Sequence, residues 1–356
     1  LSLYKKYSPR KDDTENMTTN EKNNTTIKKK KFSWKFFLML LIFEIIFTAI
    51  TGPFMLYYGP FQNVKKSMVS AIMQTKTHQY LATTFLSKDR ISKILNRDAN
   101  NLGSWTTGST ADEQINDVTI SNSHDNTITR YDIPGKKFDG YMLEIKDPFR
   151  IKVGYTKKLG KEGQRTSQIA ENNNAIAAIN GGGFTDKSSD GKVWAGTGGT
   201  PLGFVISNGR EIFTDMSQNA KTSVMAMTSD GHLIVGEKSL ADLKKEKATQ
   251  AIAFGPALIV NGKAQKGLDA GPNPRTAIGQ KQDGTILLLV IDGRQGLKLG
   301  ASLQDVQQIM LQFEAWNATN LDGGSSSTMY YDGGVISNPS DPLGERSVAT
   351  AVYVEK

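Results

Sequence analysis

The 356-residue chain is long enough for one large domain or two ordinary ones, each with a sizeable core. Its net charge of +8 is concentrated at the start: residues 1–35 hold ten Lys/Arg against four Asp/Glu, a net of +6, and the other 321 carry about +2. No concentrated basic stripe remains for a nucleic-acid partner, and the lack of cysteine excludes disulfides and thiolate metal sites.

In chain order, residues 1–35 read as a disordered, basic, cytoplasmic tail rich in Lys, Asn and Thr. The chain opens on Leu1, and Met17 is a candidate start. Residues 36–58 then run almost without charge, Glu44 excepted, over a length that covers a bilayer core. A signal peptide would have an apolar region of about 7–15 residues closing on small side chains. This run is longer and ends in Gly-Pro and tyrosines, so the expectation is a retained single-pass anchor. The lysines of its N-terminal flank hold that end in the cytoplasm and send residues 59–356 outside.

Residues 59–97 have helical periodicity (Val64, Met68, Ile72, then Leu81, Phe85, Ile91 and Ile94) and read as a membrane-proximal stalk. The Asn/Ser/Thr/Asp-rich stretch 98–127 reads as a linker, and the main domain is expected over 128–356. There, Asn208-Gly209, Asp230-Gly231, Asn261-Gly262, Asp283-Gly284 and Asp332-Gly333 each separate two short apolar runs, the pattern of tight hairpins. Two helices are expected: a short one over Thr166–Asn174, and Ser302–Trp316, opened by a Ser302/Asp305 capping box. The fold class is α+β, a hairpin-rich mixed β-sheet domain with a few packed helices.

Three apolar runs end alike. Ala175–Ile179 runs into Asn180-Gly181-Gly182-Gly183-Phe184, Ile286–Ile291 into Asp292-Gly293-Arg294, and Asn320-Leu321 into Asp322-Gly323-Gly324-Ser325. The first two runs are apolar enough to be central strands buried on both faces. A polar side chain at such a strand end is held rigidly, and the glycine after it lets a ligand approach the backbone. These ends are expected to converge on one pocket, with Gly323, Gly324 and Ser325 offering amides to an anion. Arg275 in Asn273-Pro274-Arg275-Thr276-Ala277, Arg294, and Arg346 after Glu345 lie beside turn formers. Guanidinium groups match phosphate oxygens bidentately, so arginines with a glycine nest point to a phosphate-bearing substrate.

Other chemistries are poorly supplied. The three histidines are scattered, and no Gly-x-Ser-x-Gly elbow exists for a serine nucleophile. Gly154–Lys161 has the wrong glycine spacing for a phosphate loop. The sequence assigns no cofactor, though Asp322 with Asp292 could offer oxygen ligands to Ca²⁺ or Mg²⁺.

The five motifs, in the order Asn180–Phe184, Asn273–Ala277, Asp292–Arg294, Asn320–Ser325 and Glu345-Arg346, resemble those of the phosphodiester glycosidase family over about residues 128–356. Bacterial members are often labelled exopolysaccharide biosynthesis proteins. The family usually has Asn-Gly-Gly-Phe-Phe where this chain has Asn-Gly-Gly-Gly-Phe, and a third glycine at the place of Ser325. The resemblance implies hydrolysis of a sugar-1-phosphodiester at the sugar C–O bond. Asp322 would then be nucleophile or general base, and Glu345 or Asp292 proton donor or positioning group. Arg275, Arg294 and Arg346 would clamp the phosphate, with Thr276, Gly181, Gly323, Gly324 and Ser325 lining the site, and Asn180 would bond a sugar hydroxyl. The expected partner is a cell-surface glycan or phosphosugar polymer, of teichoic acid or exopolysaccharide type. The alternative is a non-catalytic glycan-binding or assembly module.

Overall fold

The computed structural model describes residues 33–61, 64–65, 68–69, 72, 80–95, 117–121, 124–185, 198–268, 270–341 and 343–356. The basic tail up to residue 32 and most of the linker lie outside them. Contacts divide the chain into two compact units at Pro53/Phe54.

Across that division runs one helix, Trp34–Tyr58, whose most apolar window has a mean hydropathy of 2.1 and no buried residue. It begins two residues before the expected span because Ser33 caps it, its Oγ accepting from Phe36 N at 3.4 Å. At 1.5 Å per residue it is about 37 Å long, more than the ~30 Å of bilayer hydrocarbon. By length and composition it is either a signal sequence or an anchor. Beyond it, the helices Tyr80–Thr83 and Lys88–Leu95 share a small apolar cluster of Tyr57, Val69, Ala82, Leu86 and Ile91. The Tyr57 hydroxyl donates to Leu81 O at 2.7 Å.

The remaining described residues build three large sheets that share a central core, with two further two-stranded pairs. The largest has seven strands in the spatial order Ile128–Pro134, Asp139–Ile145, Ile286–Ile291, Arg275–Lys281, Ala315–Leu321, Ala257–Val260 and Lys263–Ala264. A second has five: Leu233–Lys238, Thr222–Thr228, Ala248–Ala253, Phe204–Ser207 and Arg210–Thr214. The third runs Gly334–Val335, Met329–Tyr331, Ala175–Asn180, Thr350–Glu355 and Ile151–Tyr155. All five expected hairpin turns are present. At Asn208-Gly209, Asn261-Gly262 and Asp332-Gly333 both residues have positive φ, as a two-residue hairpin turn requires. Every pairing described among these strands is antiparallel, so the sheets are not mixed; local hairpins leave few places for parallel crossovers.

Alternation along Ile286–Ile291 shows why so apolar a strand is needed. Ile286, Leu288 and Val290 enter the central core shared by all three sheets, and Leu287, Leu289 and Ile291 enter a second core on the opposite face. That second core is closed by the helix Leu303–Gln312 through Leu303, Val306, Ile309 and Met310. The helix stops four residues short of the expected Trp316. Glu314 adopts a left-handed conformation, φ 62°, and Ala315 already pairs with Lys281 as strand. Strand pairing thus overrides the helical spacing of Phe313 and Trp316. The third sheet carries the helix Thr166–Asn172 in the same way, through Ile169 and Ala170. Buried amides tie sheet to sheet: Gln280 Oε1 accepts from Leu233 N at 2.8 Å, and Gln250 Oε1 from Val153 N at 3.0 Å. The segment 117–121 is also attached here, Thr119 N donating to Gln282 O at 2.7 Å.

Candidate active site

Register fixes where the strand ends fall. In the large sheet Arg275 pairs with Ile291, and Thr276 pairs with both Val290 and Leu321. Arg275, Asp292 and Asp322 therefore leave the sheet at one edge. In the third sheet Asn180 pairs with Ala351, at the end of its own strand. The two edges are joined by Asn180, which is fully buried. Its Oδ1 accepts from Thr276 Oγ1 at 2.7 Å and from Thr328 N at 3.2 Å, and its Nδ2 donates to Asp322 O at 2.5 Å. Asp322 N in turn donates to Gly181 O at 3.1 Å. One side chain thus holds three strand ends in place. Asn180, expected to meet a sugar hydroxyl, here staples the Asp322 backbone, and the Thr276 hydroxyl donates to it.

The three arginines meet at this junction. Arg275, 8% exposed, is gripped by backbone: Nε donates to Ala301 O at 3.0 Å and Nη2 to Gly271 O at 2.7 Å. Arg294 donates from Nη2 to Asn273 Oδ1 at 3.1 Å and lies over Gly324, where a Cβ would meet Nη2 at 3.3 Å. Arg346 stands over the Phe184 ring, 4.9 Å from its centroid, with Nη1 3.4 Å from Ser325 Oγ. Burial, then the charge of Arg294, pushes Arg275 down to about 10. Arg294 is depressed by burial and then by Arg346. The guanidinium groups therefore form a chain of like charges, each felt by the next. Among the described residues no carboxylate forms an ion pair with Arg275 or Arg294. Buried positive charges without a counter-ion are costly, and an anionic ligand relieves the cost.

Glycines let the backbone fit between these groups. A Cβ on Gly323 would lie 2.8 Å from Pro274 O, and Gly324 needs its φ of +67°. The expected anion nest is narrower than the sequence suggests: Gly324 N is already donated to Pro274 O at 2.9 Å. Gly181 and Gly182 pack on Thr350, whose Oγ1 accepts from Gly182 N at 3.0 Å. Gly183, where the family usually has an aromatic, faces the Phe254 ring at ordinary-to-tight contact, 3.2 Å for a Cβ built there. An aromatic from the second sheet's edge thus stands beside the glycine.

The three candidate carboxyls have different surroundings. Asp322 is half-buried between Leu321 and the glycines, of which Gly324 lies under Arg294. Glu345 is committed to the helix Thr166–Asn172, its Oε2 accepting from Ser167 N at 2.9 Å and Oε1 from Ser167 Oγ at 2.5 Å. It satisfies a first-turn amide there and anchors the loop that delivers Arg346. Asp292 is 5% exposed; its oxygens accept from Asn338 N at 3.0 and 3.1 Å and from the Tyr141 hydroxyl. Burial raises Asp292 to about 6 against the lowering effect of those hydrogen bonds, and burial with the Asp292 charge raises Tyr141 to about 12. Asp139 and Lys298, 2.6 Å apart, adjoin this pair. Among the described residues no group of three or more His, Cys, Asp or Glu is placed to hold a metal ion. Tyr141, Asn338, Phe184 and Asn273 were not singled out by sequence. Asn273 has a signal, its place in Asn-Pro-Arg; Tyr141 meets Asp292 only through strand pairing across some 150 residues.

The family model for phosphodiester glycosidases matches residues 173–355, just over half the sequence, and spans these groups except Asp139, Tyr141 and the helix Thr166–Asn172 with Ser167. The chain belongs to the phosphodiester glycosidase family. Its curated relatives include an SPbeta prophage-derived uncharacterized protein of Bacillus subtilis (strain 168), YomE, 31% identical over 52% of this chain and 29% of that protein. The N-acetylglucosamine-1-phosphodiester alpha-N-acetylglucosaminidase of Bos taurus is 29% identical over 44% of this chain and 34% of its own length. The chain thus spans about a third of the curated relatives it matches. The zebrafish catalytic domain of the same glycosidase, auto-inhibited by its pro-peptide, superposes with a TM-score of 0.55 at 23% identity. That match covers 67% of this chain and 86% of the zebrafish domain, and it establishes a shared fold for this phosphodiester glycosidase family member.

Proposed function

We propose that this protein is a membrane-anchored, extracytoplasmic hydrolase that cleaves sugar-1-phosphodiesters in a cell-surface glycopolymer. One observation carries the reading: three guanidinium groups form a chain of like charges that reaches Gly324 and Ser325, and two of them lack a carboxylate partner among the described residues. A phosphodiester supplies the missing negative charge, and the adjacent carboxylate supplies the chemistry. In the net reaction water adds to the anomeric carbon and the C1–O bond breaks. The bonding pair leaves on the phosphate oxygen, and the water proton passes to a base. Asp322 acts as nucleophile or general base at the sugar carbon. Arg275, Arg294 and Arg346 hold the phosphate and take up the charge that grows on it as it leaves. Asp292 is the better placed proton donor, because Glu345 is already tied to a helix terminus. The apolar helix Trp34–Tyr58, with lysines before it, serves as the anchor.

The test is release of sugar from phosphodiester-linked glycans, teichoic acid and exopolysaccharide types included, by full-length protein in lipid nanodiscs. Free reducing sugar supports the reading; no release from any of them overturns it.

Asp292 makes a pH dependence specific. Its carboxyl is raised in the folded protein, so the folded state binds the proton more tightly than the unfolded chain does. The resulting stability is complete below the unfolded value near 4 and is lost as pH rises through about 6. At ~1.4 kcal/mol per pKa unit the change is about 3 kcal/mol. As proton donor, Asp292 also makes kcat fall above about pH 6. In Asp292→Asn both the acid-side stabilisation and that limb of the rate profile are expected to vanish. An Asp292→Asn profile that superposes on wild type removes the residue from the proton inventory.

A further inference from the structure

Outside the site, the exposed apolar side chains are unevenly distributed. Among the described residues from 117 onward, six large apolar side chains are exposed: Tyr131, Tyr155, Leu297, Leu299, Val335 and Leu343. Four of the six lie in the segments 294–300 and 334–346. These segments carry Arg294 at the start of one and Arg346 at the end of the other. Leu297 is 97% exposed and Leu343 90%, more than any other residue in that group. A monomeric soluble surface does not usually gather apolar groups beside its charged site without a ligand for them.

Both leucines are held out by closed turns. Gln295 and Lys298 exchange backbone bonds at 3.0 and 2.9 Å around Gly296-Leu297, and Lys298 Nζ is held by Asp139 at 2.6 Å. Leu343 N donates to Asp341 Oδ1 at 2.9 Å, and Gly344 N to Asp341 O at 2.9 Å. The two segments are fastened together, Gln295 Nε2 donating to Asn338 O at 2.9 Å. An anion site is therefore bordered by two fixed apolar tips. A ligand that satisfies both is an anionic amphiphile, with hydrocarbon next to its phosphate.

We propose that Leu297 and Leu343 form an apolar rim that receives the hydrocarbon of a lipid-linked sugar phosphodiester whose phosphate lies on Arg294 and Arg346. This rests on the phosphodiester reading above and narrows it to substrates presented at a bilayer surface. In this arrangement the sugar faces Asp322, the phosphate occupies the guanidinium groups, and the lipid ester leaves across the rim.

The test uses two simple probes, octyl phosphate and methyl phosphate, binding to full-length protein in nanodiscs. Wild type is expected to bind octyl phosphate at least about tenfold more tightly, the scale of burying a few methylene groups. In Leu297→Ser/Leu343→Ser that preference collapses to within about twofold, through the octyl ligand. Equal affinity for the two probes in wild type, or a preference that survives the double substitution, overturns the rim. In the latter case a change in the number of chains per particle would assign the leucines to a second copy instead. Failure of both phosphates to bind overturns the anion site itself and the rim with it, so the two failures are distinct. Should the double variant fold poorly, the single variants Leu297→Gln and Leu343→Gln carry the same comparison.

Discussion

Asp322→Asn is expected to fold with near wild-type stability and to lose about 10²–10⁴-fold in kcat, the usual scale for removing a positioned base or nucleophile. The two parts of this expectation have separate causes. The backbone of residue 322 is fixed from both sides by Asn180 Nδ2 and Gly181 O, and neither contact involves its own side chain. An isosteric amide therefore leaves the junction of the two sheets intact. Residue 322 itself is half-buried, and an amide in place of its carboxylate cannot attack carbon or take a proton. Circular dichroism and thermal unfolding check the first part, and initial rates of sugar release check the second. Near wild-type hydrolysis by a folded Asp322→Asn protein would remove Asp322 from the mechanism.

The second large effect concerns the arginines. Inorganic phosphate at a hundred times its Kd is expected to stabilise the wild-type protein by about 2.7 kcal/mol, because it binds only the folded guanidinium site. For a domain of this size that is roughly 5–10 °C in Tm. Arg294→Ala should lose most of this response. In phosphate-free buffer the same variant should be no less stable than wild type, because the substitution removes the middle charge of three crowded cations. Its kcat/KM should fall by about 10²–10³-fold, the scale of losing one donor to a developing oxyanion. An ordinary structural arginine would behave in the opposite way, with stability falling in every buffer and the phosphate response unchanged.

Much of this was readable before any coordinates. Five Asn-Gly or Asp-Gly turns dictated the hairpins, since each needs a residue that accepts positive φ. The doubly apolar run Ile286–Ile291 announced a strand with a core on each face. That Arg275, Asp292 and Asp322 leave the large sheet at the same end follows from strand pairing, and the apolar runs before Asp292 and Asp322 hinted at it. What could not be read is how polar groups are shared once the ends meet. Asn180, expected to bond a sugar hydroxyl, also bonds Thr276, Thr328 and Asp322. Glu345 is spent on a helix start 178 residues earlier in the chain. Gly324 turns its amide away from the nest. Each of these depends on register between distant strands, which no local pattern encodes. The helix expected to reach Trp316 fails for a related reason: an apolar spacing that suits a helix is taken over by strand pairing with Lys281.

Hydrolysis of a sugar-1-phosphodiester in ¹⁸O-labelled water tests the account most directly, because the label marks which bond is cut. Attack at the anomeric carbon, with the phosphate leaving from the arginine cluster, puts ¹⁸O in the released sugar and none in the phosphomonoester. Label in the phosphate instead would mean cleavage at phosphorus, and the roles given to Asp322 and the three arginines would be wrong.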